Sequence, residues 1–207
     1  MIAPADALKK LREGNRRFVS GETDAESLAR RSHRADLADG QAPFAIILAC
    51  SDSRVPVEMV FDRGFGDLFV IRVAGNIVAP SQIGSIEFAA EQFGTRLVVV
   101  LGHTNCGAVT ATLNELALKD SHRSPNLRAI VDRVRPAVEP VLDKYRNDDS
   151  TTVVREAVRA NIRASVERLS HGSLILEKLI DEDELIVVGA EYSIETGEVD
   201  FFDGNPG

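Results

Sequence analysis

The chain has 207 residues, 44% of them apolar, and a formal net charge of −8 with the charges interspersed. This length and apolar content suit one compact domain with a full core, two smaller domains being the alternative. No long basic run is present, which argues against nucleic acid or an anionic membrane surface as partner, and no apolar run approaches a membrane span.

The N-terminal stretch MIAPADALKKLREGNRRF is charged and lacks an apolar signal core, so a soluble, cytoplasmic protein is expected. Leu8, Leu11 and Phe18 recur at helical spacing among Lys9, Lys10, Arg16 and Arg17, which predicts an amphipathic helix over 5–18. Residues 21–40 are polar and read as a linker or a second short helix. This N-terminal arm has two open placements, on the chain's own core or on a partner subunit.

Four continuous apolar runs follow: FAIILAC (44–50), DLFVIRVA (67–74), RLVVVLGH (96–103) and ELIVVGAEY (184–192). Runs apolar on both faces indicate buried parallel strands. Helical patterns separate them at 80–93, 105–118, 125–145 and 151–169. In the last, Val154, Val158, Ile162, Val166 and Leu169 form a stripe, and Ser173 is placed to cap a further helix running to Ile180. SIETGEV (193–199) reads as a hairpin turn into an antiparallel edge strand, EVDFFD. The expected fold is α/β: a mainly parallel central sheet of about four parallel strands plus an antiparallel edge strand, flanked by helices.

Ligands of such sheets gather at the carboxyl ends of the strands. Cys50 ends the first strand, His103 ends the third, and Cys106 follows within one turn. These are the only two cysteines. A disulfide between them is one reading. Reduced thiols serving a metal or catalysis are the better one for a chain without an export signal. Singly, each residue has an ordinary explanation as a buried thiol or a hydrogen-bonded core histidine. Jointly, two thiols and an imidazole on one rim favour Zn2+, which in catalytic sites keeps three protein ligands and one open position. His33, His122 and His171 lie in polar stretches and are given no ligand role.

CSDSRV (50–55) with GHTNCGAV (102–109) resembles the β-class carbonic anhydrases. The similarity extends over most of the chain, through FVIRVAGN (69–76), GSIEFA (84–89) and VVGAEYSIETGEV (187–199). The resemblance implies a single domain over 1–207 and zinc held by Cys50, His103 and Cys106. It also implies a catalytic dyad of Asp52 and Arg54, and reversible hydration of CO2 to bicarbonate and a proton by zinc-bound hydroxide. It implies a homodimer or homotetramer, with the arm (1–40) expected at the dimer interface. It further implies that Phe69, Ala74 and Phe88 line a CO2 pocket and that Gln41 offers its amide to substrate oxygen. Gly107 could present a backbone N–H to an anion near a helix start. In one branch of the family, bicarbonate binds a separate pocket built with a tryptophan three residues before the first cysteine. Ile47 stands there in this chain, and Arg72 and Tyr192, at positions resembling the rest of that pocket, are expected to be structural.

The chemistry of that assignment can be argued on its own terms. Two thiolates cancel the charge of Zn2+, whereas three imidazoles leave it doubly positive, so activity is expected to rise on the alkaline side of neutrality. Arg54 offers a planar fork suited to a two-point grip on Asp52. Three rival functions are a related zinc hydrolase acting on carbon disulfide or carbonyl sulfide, a noncatalytic zinc or bicarbonate-binding module, and a cysteine-nucleophile enzyme using Cys50 and His103.

Overall fold

A computed structural model describes residues 2–23, 38–116 and 124–204. Most of the polar stretch at 21–40, together with His33, His122 and the end of the helix expected at 105–118, lies outside the described residues. Helix α1 (Pro4–Ser20) opens with proline in its first turn and ends at Gly21. There a φ of 72° lets the chain reverse, a conformation glycine adopts at no steric cost. Strand β1 (Ala45–Ala49) follows, then a short helix α2 (Val57–Val60) and β2 (Leu68–Arg72). A 3-10 turn (Ala74–Asn76) leads into α3 (Pro80–Gln92), β3 (Leu97–His103) and α4 (Gly107–Leu116). Next come α5 (Pro125–Lys144), α6 (Ser150–Ser170), α7 (Leu174–Asp181), β4 (Ile186–Tyr192) and β5 (Val199–Asp203).

The strands form one sheet in the order β2-β1-β3-β4-β5. The first four are parallel, and β5 returns antiparallel to β4. The α/β architecture expected from the apolar runs is therefore the observed one. The sequence reading did not anticipate α2 or the 3-10 turn.

Strand periodicity splits the core between two faces. Ile46, Leu48, Val98 and Val100 pack under the long helices with Val158, Ile162 and Leu169. Ala45, Ile47, Ala49, Leu97, Val99 and Leu101 point the other way, where Ala7, Leu8 and Leu11 of α1 meet them. The apolar stripe of α1 thus packs on the chain's own core. Gly14 lets α1 approach α2 closely, since a Cβ there would fall 1.9 Å from the Phe61 carbonyl oxygen.

One strand departs from expectation. The run around β2 is as apolar as its neighbours, yet only Leu68 is buried, Phe69 to Ile71 are half-buried and Arg72 is exposed. The cause is position: β2 is the outermost strand and pairs with β1 alone.

Helix α6 is capped by Asp149, whose carboxylate accepts from the Thr151 and Thr152 backbone N–H groups at 2.9 and 3.0 Å. The Thr152 backbone N–H and hydroxyl hold this carboxyl below the usual carboxylate range. A group depressed in the folded state contributes its full stabilisation above its unfolded pKa of about 3.9, and loses it as pH falls through the folded value. Asp149→Ala is therefore expected to lower the thermal midpoint by a constant few degrees between about pH 5 and pH 8, the gap to the parent closing below about pH 4. Melts followed by circular dichroism across that range check it, and a gap that widened on acidification would contradict the cap's role.

Candidate metal centre

The order β2-β1-β3-β4 means the chain leaves β1 toward one edge of the sheet and leaves β3 toward the other. The crevice between their carboxyl ends is where open α/β sheets bind ligands. Ala49 pairs with Leu101, so Cys50, the next residue, lies level with Gly102 and beside His103. Past His103 the chain turns through Thr104 and Asn105, whose φ of 56° is left-handed, and Cys106 leads into α4. This turn is pinned to the end of β4. The Thr104 N–H donates to the Tyr192 carbonyl at 3.0 Å, and the Ile194 N–H donates to the Thr104 hydroxyl at 3.1 Å.

The Sγ atoms of Cys50 and Cys106 and a ring nitrogen of His103 all lie within 4.8 Å of one another. All three residues are buried, and both cysteines are free thiols, so the disulfide reading does not describe this pair. His103 Nδ1 lies 2.9 Å from the Thr104 carbonyl oxygen. A carbonyl only accepts, so Nδ1 carries the proton and Nε2 presents a lone pair. Nε2 is buried with no hydrogen-bond partner among the described residues. A buried acceptor without a donor is costly unless something fills that role. An imidazole anchored through one nitrogen to a backbone carbonyl, with the other bare, is the arrangement of a metal-ligating histidine.

The sulfurs reinforce this. The Cys106 thiol draws the Cys50 pKa well down against the effect of burial, helped by the neighbouring His103 ring and by the Gly75 N–H at 3.3 Å from Cys50 Sγ. The same contact, with burial, pushes Cys106 up. One shared contact thus pulls the two sulfurs in opposite directions, and a cation between them would favour the charged form of both. Two sulfurs and one nitrogen form a donor set that fits zinc with a fourth position open.

Beside the cluster, Arg54 Nε and Nη2 donate to the two carboxylate oxygens of Asp52 at 2.9 and 2.8 Å, and the Arg54 backbone N–H donates to Oδ1 at 3.0 Å. The Arg54 hydrogen bonds hold the Asp52 carboxyl far below the usual carboxylate range. Arg54 Nη2 also lies 3.4 Å from the Asn105 carbonyl, tying the fork to the turn that carries Cys106. Asp52 Oδ2 stands 3.8 Å from His103 Nε2, close to the ligand cluster but turned toward Arg54. Arg72 holds the same loop from outside: its Nε donates to the Cys50 carbonyl at 3.1 Å and its Nη2 to the Asp52 carbonyl at 2.6 Å.

The five motif residues thus converge. Of the residues expected around the substrate, Ala74 precedes Gly75 and Gly107 follows Cys106, so both border the cluster. Phe69 does not. It pairs with Ile46, four residues along the strands from the level of Cys50, roughly 13 Å away at 3.3 Å per residue. It packs with Phe88 and Phe93, at ring centroid distances of 6.2 and 6.0 Å. Phe88 is 51% exposed, and Gln41 lines an open cavity of about 520 Å3 with Phe65 and Phe93. Sequence reasoning missed Gly75, for which the only signal is a glycine after an apolar run. It also missed Asn161 and Ser165, buried polar residues on the face of the α6 stripe.

A parallel α/β sheet with a thiol, imidazole and thiol cluster at its switch point, and an arginine-held aspartate alongside, defines a class of metal-binding enzyme. Comparison with known proteins agrees. The family described as carbonic anhydrase matches residues 45–199. Carbonic anhydrase 2 of Mycobacterium tuberculosis is 39% identical over 197 residues, covering 94% of this chain and 90% of that protein. The structure of the β-carbonic anhydrase CcaA superposes with a TM-score of 0.75 at 28% identity, covering 95% of both chains. One of two tetrameric β-carbonic anhydrases from Sordaria macrospora shares the fold at a TM-score of 0.75 and 24% identity, over 86% of this chain and 89% of that one. The chain belongs to the carbonic anhydrase family, in its β class.

Proposed function

We propose that the protein is a zinc-dependent carbonic anhydrase, interconverting CO2 and water with bicarbonate and a proton, and that Cys50, His103 and Cys106 hold the metal. The observation that carries this is the bare, buried Nε2 of His103 facing two sulfurs beside Asp52 in the grip of Arg54. Bound zinc would supply an acidified water, a nucleophile available near neutral pH.

The chain's own residues do the rest. Asp52, kept as a carboxylate by Arg54, would accept a hydrogen bond from a water at the open position and orient it toward the substrate. Arg54 keeps that carboxylate off the metal position by occupying both its oxygens. Ala74 gives an apolar wall to an uncharged substrate, and the Gly107 N–H at the start of α4 favours a developing anion. Phe69 sits too far along the sheet to reach this site within one chain, and Phe88 packs against it, so a pocket role for this group requires a second copy; Gln41 lines a separate open cavity with Phe65 and Phe93.

Oligomerisation belongs to the same proposal. The half-buried β2 edge, with Phe88 51% and Phe65 66% exposed, is an apolar surface of the kind a homodimer covers. The tetrameric Sordaria macrospora proteins share the fold, and the arm (1–40) is proposed at such an interface through surfaces other than the apolar stripe of α1, which packs on the chain's own core. No helix among the described residues is long and apolar enough to cross a membrane. A cytoplasmic setting suits two sulfurs that must stay reduced.

Stopped-flow CO2 hydration on protein of measured zinc content, from about pH 6 to pH 9, tests the proposal. The rate is expected to scale with zinc and to rise on the alkaline side, because two thiolate donors leave little net positive charge to acidify water. Turnover independent of metal content, or a profile flat down to about pH 6, would refute it.

A further inference from the structure

The Cys50 sulfur accepts the Gly75 N–H at 3.3 Å inside the core. Gly75 sits at φ 70° and ψ 20° in the middle of the 3-10 turn, a conformation that glycine visits freely and does not hold by itself. A side chain would be crowded there, since a Cβ on it would lie 3.1 Å from the Ala108 Cβ. What fixes the turn comes from α6, far away in sequence. Asn161 Nδ2 donates to the Gly75 carbonyl at 2.8 Å, and the Ser165 hydroxyl, one helical turn on, donates to the Asn76 carbonyl at 3.1 Å. Asn161 is 2% exposed, so water does not replace its bond. Pinning the carbonyl of Gly75 sets that residue's ψ, and the neighbouring bond sets the orientation of the next peptide. The Asn76 N–H, in the peptide that Asn161 pins, donates to the Val73 carbonyl at 3.0 Å and so closes the turn around the Ala74–Gly75 peptide, holding the Gly75 N–H toward the sulfur.

We propose that Asn161 is a positioning residue for the metal-binding sulfur of Cys50, acting through the Gly75 N–H, with Ser165 as its support. This rests on the reading of Cys50 as a metal ligand. An N–H donated to a thiolate withdraws electron density from it and holds its lone pairs in place, and partners behind a ligand commonly govern affinity by 10- to 100-fold. Asn161 touches neither metal nor substrate.

The test uses Co2+ as the probe, in the full chain, with the thiolate-to-cobalt charge-transfer band and chelator competition as readouts. Asn161→Ala is expected to move the band to lower energy, because the sulfur becomes more electron-rich, and to weaken Co2+ binding about tenfold or more. Ser165→Ala is expected to shift the band the same way by less, and it carries the test if Asn161→Ala does not fold. Val158→Ala, on the same helix within the apolar stripe, is the structural control: it should lower thermal stability and leave the band unmoved. A folded Asn161→Ala with the parental band and affinity within about twofold would overturn the inference while leaving the metal reading intact. A parent protein that gives no thiolate-to-cobalt band at all would overturn both. A band that moved equally in Val158→Ala would reduce Asn161 to a packing residue and overturn the proposal.

Discussion

His103→Ala is expected to strip the protein of zinc and to bring CO2 hydration down to the buffer rate. Losing a partner behind a metal ligand already costs 10- to 100-fold, so losing the ligand itself should exceed about 100-fold. The remaining donors cannot compensate. Cys50 and Cys106 are buried, and without the imidazole a dication would have only two protein donors in a dry pocket. Asp52 could swing onto the ion, but then it leaves Arg54 and the open position closes. His171→Ala is the matched control, because that residue ends α6 on the surface and touches no part of the cluster. Zinc per chain by elemental analysis, read beside stopped-flow rates, checks the pair. A zinc-loaded, fully active His103→Ala protein would remove the foundation of the proposed chemistry.

Arg54→Ala has the second large effect, and it separates binding from turnover. The metal should remain, because none of its three ligands is touched. Turnover should fall by about 100-fold or more, the lower end of what a positioned proton acceptor supplies. The structure gives the reason. Asp52 Oδ2 is 3.8 Å from His103 Nε2, and both carboxylate oxygens are occupied by the Arg54 fork. Without the fork, the carboxylate's strongest remaining attraction is the cation. It is then expected to become the fourth ligand and displace water. The cobalt spectrum of Arg54→Ala should accordingly be insensitive to pH, whereas Asp52→Asn, which loses the acceptor but offers a neutral amide, should keep a pH-dependent spectrum at low turnover. Arg54→Lys keeps the charge but not the two-point geometry, and should recover only part of the rate. Wild-type turnover in Arg54→Ala would show that the pair is ornamental.

Much of this was readable from residue order because the signals are local. Each central strand is a run of apolar residues between turn signals, and both faces of β1 and β3 are buried, so nothing in the pattern conflicts with the fold. The meeting of two thiols and an imidazole was legible because both cysteines and one histidine stand at strand ends or one turn beyond. The failures are non-local. LFVIR reads like a central strand, and only the order of the finished sheet puts it at the edge with its side chains half-buried. The register sets Phe69 well back along the sheet from Cys50, so a pocket role for it depends on a second copy, which no local pattern announces. Asn161 meets Gly75 across 86 residues of chain, and no spacing rule connects them. A polar residue on an apolar helical stripe was the available hint, since a buried amide must find a partner.

The pairing of β1 with β3 also orders events in time. Ile46 lies opposite Val98 and Ala49 opposite Leu101, with β2 and α3 intervening in the chain. Such parallel pairing cannot begin from a tight turn; a long loop has to close before the strands reward it. His103 and Cys106 are neighbours in any conformation, but Cys50 reaches them only once that loop has closed. A newly made chain can hold a cation no better than a two-donor peptide does, and full retention arrives with the completed sheet. On the proposed metal assignment, uptake follows the pairing of β1 with β3 and does not seed it.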